Sequence, residues 1–75
     1  MVTNTVLSPQ TSEVLKRLPR DWYDEHDTIA TIANALHTSP AAVRGSLLQL
    51  RRLHLVERRT PRRDPTVIEI RKIGR

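Results

Sequence analysis

Residues 28–53 carry apolar positions at the spacing of two successive helices, separated by a short polar turn at residues 37–39. In the first helix, apolar residues recur at i, i+3, i+4 and i+7, which makes a single stripe for burial: Ile29, Ile32, Ala33 and Leu36. Asp27 or Thr28 is the predicted cap, because an oxygen on either side chain can accept a hydrogen bond from an unpaired amide of the first turn.

The second pattern predicts a helix from Pro40 to about Leu53. Ser39 is a favourable N-cap, and a proline in the first turn removes no hydrogen bond. The residues predicted to face inward are Val43, Leu47 and Leu50. At about 100° per residue, the opposite face carries Ala41, Gly45, Leu48 and Arg52, with Arg44 and Gln49 on its flanks.

An earlier helix is predicted near the start of the chain. Ser8 and Pro9 indicate its beginning, and Pro19 follows its apolar stripe as a stop. Residues 20–27 then form a polar connection. Trp22 and Tyr23 lie in this connection among acidic residues, so we expect one or both of them to cover the edge of a small core rather than to stack on bases.

A β-hairpin is predicted at the carboxyl-terminal end. Leu55 and Val56 come before a basic stretch, and residues 66–71 then alternate, with Ile68 and Ile70 on one face. The prolines at 61 and 65 cannot donate to a strand ladder, which assigns residues 60–65 to the loop between the strands.

Charge is distributed unevenly along the chain. Residues 1–37 hold three basic and five acidic side chains, whereas residues 38–75 hold ten basic and three acidic ones. A one-sided basic field attracts phosphate. The alternative is that the many arginines only follow a GC-rich coding sequence, but composition bias does not explain the asymmetry.

This order of elements resembles the winged helix-turn-helix of bacterial and phage transcriptional regulators, and above all the DNA-reading part of MarR-like repressors. The resemblance covers roughly residues 9–72. The positions that match the family motif in spacing are Ile32, Ala33, Leu36, Ser39, Val43, Leu47, Leu50, His54, Leu55, Val56 and Arg58. It implies an α+β fold, mainly α, of three helices and a C-terminal hairpin wing. A length of 75 residues predicts one domain over residues 1–75, and we expect flexible ends at 1–7 and 73–75.

The sequence departs from the family pattern at two points, and these limit which properties of the family are expected of this chain. His54 stands where the family usually has glycine, at a point where the chain leaves the helix in a left-handed conformation that histidine adopts at some cost. The long flanking dimerisation helices of MarR-like proteins are missing, so their ligand-sensing role is not implied. A small stand-alone repressor, a phage-type regulator or an excisionase-like architectural protein fits the length better.

The resemblance also implies which residues meet DNA. The turn and the third helix would offer donors to phosphates and base edges, and small residues to thymine methyl groups. On the wing, arginines would lie along phosphates or in the minor groove. The predicted contacts are Thr38, Ser39, Ala41, Ala42, Arg44, Gly45, Gln49, Arg52, Arg58, Arg59, Arg62 and Arg63. The alternative for each charged or polar member is simple solvation.

No pattern for catalysis or for a cofactor is found. The chain lacks cysteine, and His26, His37 and His54 do not have the spacing of metal ligands. No phosphate-binding glycine loop, nucleophile motif or carboxylate pair is present. We therefore expect a protein that is not an enzyme and has neither cofactor nor metal. No membrane span or signal peptide is seen either, which favours a cytoplasmic, nucleoid-associated protein.

The sequence thus predicts a regulator of transcription or of DNA rearrangement that binds double-stranded DNA, with a homodimer as one arrangement, because paired half-sites multiply affinity. The alternative is a winged-helix protein-interaction module that binds RNA polymerase or another regulator through the acidic 21–27 segment, Leu48 or the hairpin edge. RNA binding is a third, weaker option.

Overall fold

The computed structural model describes residues 7–73, which form three helices and a three-stranded antiparallel sheet. The predicted flexible ends lie outside this range except for Leu7 and Ile73. In chain order the elements are α1 (Pro9–Arg17), β1 (Tyr23–Asp24), α2 (Glu25–Ala35), α3 (Pro40–Arg52), β2 (Val56–Arg59) and β3 (Glu69–Lys72). The predicted α+β class is confirmed, and about half of the described residues are helical.

Local capping explains where α1 and α3 begin. The Oγ atoms of Ser8 and Ser39 accept hydrogen bonds from the amides three residues later, each at 3.1 Å, and a proline follows each serine. Both predicted starts are confirmed. The proline occupies a position whose amide has no helical partner in any case.

Helix α2 begins earlier than predicted. Its N-cap is Asp24, whose carboxylate accepts a hydrogen bond from the Asp27 amide at 2.8 Å, so the predicted cap at Asp27 or Thr28 is wrong. The first turn of α2 is polar and lies before the apolar stripe. Spacing of apolar residues alone therefore placed the start too late.

Helices α2 and α3 end in the same way. His37 and His54 have φ values of 53° and 58°, and the next amide in each case reaches back five residues, from Thr38 to Ala33 at 2.9 Å and from Leu55 to Leu50 at 2.9 Å. This is the Schellman arrangement, which satisfies carbonyls left unpaired at a helix end. The left-handed conformation predicted for His54 is confirmed, and the same conformation at His37 was not predicted.

One apolar core joins the helices to the sheet. The residues predicted to face inward from α2 and α3 are buried, with the single exception of the half-buried Leu36, and β2 and β3 close the core through Val56 and Ile70. The buried apolar residues are Val14, Leu18, Ile29, Ile32, Ala33, Val43, Leu47, Leu50, Val56 and Ile70. Their burial orients α3 and therefore decides which of its side chains remain on the surface.

The sheet has the strand order β1-β3-β2. The predicted hairpin is present, with Arg58 opposite Ile70 and Arg59 opposite Glu69. Strand β1 was not predicted, and it pairs Tyr23 with Ile70 and Asp24 with Glu69. Ile68 precedes β3 and is partly exposed, so it does not share the buried position of Ile70. Within residues 7–73, no helix has the length and apolar character needed to cross a bilayer.

Candidate nucleic-acid interface

The face of α3 directed away from the core, here called the outer face, consists of Ala41, Gly45, Leu48 and Arg52, and all four are exposed. The side chain of Leu48 is the largest apolar group on it, and the residue is 46% exposed. Nothing lies within 4 Å of the position that a Cβ of Gly45 would take. The first part of the outer face thus carries only small residues, and the whole face is exposed to solvent. The outward direction predicted for these four residues is confirmed.

Two arginines border the outer face on the side of the hairpin. Arg44 and Arg51 are exposed and are seven residues apart, so they lie two turns apart on the same side of α3. Together with Leu48 they line a groove against α2 and β2 whose apolar wall includes Ile29 and Leu47. The predicted site includes Arg44 and omits Arg51. The spacing of seven residues was the signal that would have identified it.

The other side of α3 packs against α1, and here the environment of Gln49 differs from the exposed flank that the sequence predicted. Gln49 is half-buried, and its Oε1 lies 3.1 Å from the Thr11 hydroxyl of α1. The same hydroxyl lies 3.2 Å from Oγ of the buried Ser46. Gln49 therefore belongs to the polar contact between two helices and is not a fully exposed side chain.

In the turn before α3, one of the two side chains predicted to donate to phosphate is exposed and the other is not. Ser39 is exposed, and its Oγ accepts the capping hydrogen bond while its proton stays available to an outside acceptor. Thr38 and Ala42 are half-buried, and the amide of Thr38 is used by the Schellman bond. Of the two hydroxyl residues, Ser39 is thus the more exposed.

Arg58 does not point freely from the hairpin as predicted. Its guanidinium binds the Glu25 carboxylate through two hydrogen bonds, Nε to Oε2 at 2.7 Å and Nη2 to Oε1 at 3.1 Å. Both side chains are mostly covered, with 29% exposed for Arg58 and 20% for Glu25. The interpretation of Arg58 as a free cation is corrected, because β2 directs it toward α2.

Arg59 is also paired. Its Nε donates to Glu69 Oε1 at 2.8 Å, and its guanidinium lies 4.3 Å from the centre of the Trp22 ring. Arg71 lies 4.6 Å from the same ring and pairs with Glu57 at 3.4 Å. The strand register explains these pairs, because it places Arg59 opposite Glu69 and Glu57 opposite Arg71 on one face of the sheet.

Trp22 thus contacts arginines of the sheet instead of presenting an open stacking surface. It is half-buried, whereas Tyr23 beside it is 56% exposed. Contact between a cation and an aromatic face is favourable by about 0.5–1 kcal/mol at exposed sites. The predicted role of covering an edge describes Trp22 better than a role in stacking on bases.

The loop between β2 and β3, residues 60–68, carries Arg62 and Arg63, and both are exposed. Its acidic residue, Asp64, is held by Thr66 through bonds from the hydroxyl and the amide. These hydrogen bonds hold the pKa of the Asp64 carboxyl below its ordinary value. The returning part of the loop, residues 66–68, lines a groove with Arg44 of α3.

The arginines of α3 and of the hairpin, residues 40–72, therefore fall into two groups. Those of the sheet, Arg58, Arg59 and Arg71, each have a carboxylate partner. Those of α3 and the loop form no ion pair within the described range, and they are Arg44, Arg51, Arg52, Arg62 and Arg63. The second group is a set of exposed positive charges on α3 and on the hairpin loop.

Comparisons with protein-family models, with curated proteins and with solved structures gave no match for this chain. Within residues 7–73, no group of three histidine or acidic side chains has the geometry to hold a metal ion. The function is therefore inferred from the arrangement of charge and shape described above.

Proposed function

We propose that this chain is a winged helix-turn-helix protein that binds double-stranded DNA and regulates transcription or DNA rearrangement. Helix α3 would lie in the major groove, and the loop between β2 and β3 would act as the wing on the flanking backbone. The role is one of binding, without a chemical step, and duplex binding would place the protein at the nucleoid.

The observation that carries the proposal is the group of exposed arginines without acidic partners. The chain has eight acidic side chains, all within residues 7–73, yet none of them forms an ion pair with these arginines. Five of them contact α1, the sheet or a helix cap, and Asp64 is held by Thr66. Uncompensated guanidiniums on a helix and a neighbouring loop suit a polyanion, because phosphate contacts release condensed counterions from DNA.

The shape of α3 supports the same conclusion. A major groove about 12 Å wide admits one helix. Small residues at positions 41 and 45 let the helix backbone approach the floor of a groove, while Arg44 and Arg52 can reach base edges or phosphates. The order of three helices followed by a hairpin is the order that the winged helix requires.

Salt dependence of duplex binding tests the proposal. We expect log K for a random duplex to fall with log salt at a slope of up to about −4.5, since five free arginines can each neutralise one phosphate at about 0.9 per contact. The double variant R62A/R63A should reduce the slope by about 1.8. Fluorescence anisotropy with a labelled duplex measures both quantities.

The matched control is K16A/R17A, which removes the same charge from α1, where both cations pair with Glu13. Its slope should stay at the wild-type value. Absence of duplex binding, binding that is indifferent to salt, or an equal loss of slope in both double variants would contradict the proposal.

A protein-interaction role is the second candidate, and the exposed Leu48 favours it. A leucine that is 46% exposed between two cations could contact an apolar side chain of an acidic partner. The same titration separates the two functions, because an interaction module without a DNA role would lack salt-dependent duplex binding.

A further inference from the structure

Glu25, the first residue of α2, contacts both arms of the hairpin. Its carboxylate holds the Arg58 guanidinium of β2 through two hydrogen bonds at 2.7 and 3.1 Å. Its backbone amide donates to the carbonyl of Ile68, just before β3, at 2.8 Å. One residue therefore ties together the start of α2, the strand that enters the loop and the segment that leaves it.

The geometry of the contact between the Glu25 carboxylate and Arg58 restricts the orientation of the hairpin relative to α2. A guanidinium that uses two N–H groups on one carboxylate has a fixed relative orientation, unlike a single contact from lysine. The pair is mostly covered, so solvent and salt screen it less than the ion pairs on the outer face of the sheet. The adjacent residue, Asp24, is the strand partner of Glu69 in the pairing of β1 with β3. This backbone pairing fixes the start of α2 from the other side.

The contacts of Glu25 with the hairpin, here called the junction, lie beside α3. Glu25 and Arg58 line the groove that also contains Arg44, Leu48 and Arg51. Glu25 and Arg44 line a second groove with loop residues 66–68. A movement of the hairpin about this junction would change the position of the loop relative to α3.

We propose that Glu25 is a positioning residue that sets the hairpin loop at a fixed place relative to α3, so that Arg62 and Arg63 contact the duplex that α3 occupies. The inference rests on the proposed DNA-binding function. The ion pair between Glu25 and Arg58, with the bond from the Glu25 amide to Ile68, is here called the clamp. The inference assigns Arg58 to this clamp and removes it from the residues proposed to bind phosphate.

The variant E25R distinguishes the clamp from a purely electrostatic role. Removing an acid and adding a base beside a DNA-binding face should strengthen binding if charge alone matters. Because the new side chain repels Arg58 and breaks the clamp, we expect binding to weaken by about tenfold instead. The swapped variant E25R/R58E restores an ion pair with unchanged net charge and should recover most of the affinity.

The matched control is D27R, which makes the same charge change in the same first turn of α2 at an exposed residue that forms no ion pair within residues 7–73. It should bind DNA as tightly as the wild type or more tightly. Tighter binding by E25R, or a swapped variant that stays as weak as E25R, would overturn the assignment. If E25R is unfolded by circular dichroism, E25Q with D27N as its control repeats the comparison with a milder change.

A second measurement is independent of DNA. Backbone ¹⁵N relaxation should show increased motion of residues 60–66 in E25R but not in D27R. Unchanged relaxation in E25R would overturn the clamp even if DNA binding is seen. A wild type that does not bind duplex would contradict the proposed function, whereas increased loop motion in E25R would still support the positioning role of Glu25.

Discussion

The arginines of the sheet and the arginines of α3 have opposite electrostatic surroundings. On one face of β2 and β3, the antiparallel register places Arg59 opposite Glu69 and Arg71 opposite Glu57, so each of these two arginines lies near a carboxylate. Helix α3 contains no acidic residue between Pro40 and Arg52, so its arginines have no partner at i±3 or i±4. The comparison teaches that the number of arginines says little about a binding surface until their partners are known.

The largest effect is expected from giving α3 the acid that it lacks. L48E places a carboxylate four residues after Arg44 and three before Arg51, where it can pair with either. We expect duplex affinity at about 0.1 M salt to fall at least roughly tenfold, because one cation is neutralised and the new carboxylate also repels phosphate, with a slope reduced by about 0.9. Anisotropy titration measures the loss, and L48Q is the control that removes the leucine without adding charge. If L48Q is as weak as L48E, the apolar side chain and not the charge is responsible.

The sheet arginines should affect stability instead. R59A/R71A removes two ion pairs and both contacts with Trp22, for which we expect a loss of about 1–2 kcal/mol in the free energy of unfolding. R44A/R51A removes the same charge from α3 and should change stability by less than about 0.5 kcal/mol. Urea unfolding of the two double variants measures the contrast. Equal stability losses would contradict the division into two groups.

A smaller effect of opposite sign is expected at Gly45. Since a new Cβ would meet nothing within 4 Å, G45A should stabilise the free protein by about 0.5–1 kcal/mol through better helix propensity. If α3 lies deep in a groove, the same variant should weaken duplex binding without a change in salt slope. Greater stability with unaltered binding would show that the outer face does not approach DNA closely.

The smallest effect concerns the acid in the loop. The pKa of Asp64 lies below its ordinary value because Thr66 donates to it from its hydroxyl and its amide. Since the folded pKa is the lower one, this contribution to loop order is present above the ordinary carboxyl pKa and is lost as pH falls through the depressed value. T66V should raise the pKa of Asp64, as measured by NMR titration. An unchanged pKa would show that the hydroxyl bond is not formed in solution.

Local signals predicted where α1 and α3 begin, because a capping serine followed by a proline marks each start. The start of α2 was placed too late, because its polar first turn separates the cap from the apolar stripe. Ser39 and Pro40 determine where α3 starts, and His54 occupies the left-handed position after it. The inward positions of α3 follow from spacing alone. Strand β1 was missed because two residues are too few to show alternation, and its pairing depends on β3 far along the chain.

The candidate site was harder to predict because partners in space decide it. The helical wheel places Gln49 on a flank, and only the packing of α1 shows that Thr11 occupies that side. Arg58 and Arg62 are equivalent as basic residues of a predicted hairpin. Strand direction turns Arg58 toward Glu25, whereas the loop leaves Arg62 exposed. Neither difference could be derived from spacing.

Trp22 is the single tryptophan of the chain, and it lies against Arg59 and Arg71 on the sheet. Its intrinsic fluorescence is therefore a built-in optical reporter for the integrity of the hairpin base. Since neither arginine belongs to the group proposed to bind DNA, a change in emission on adding duplex would signal rearrangement of the protein itself.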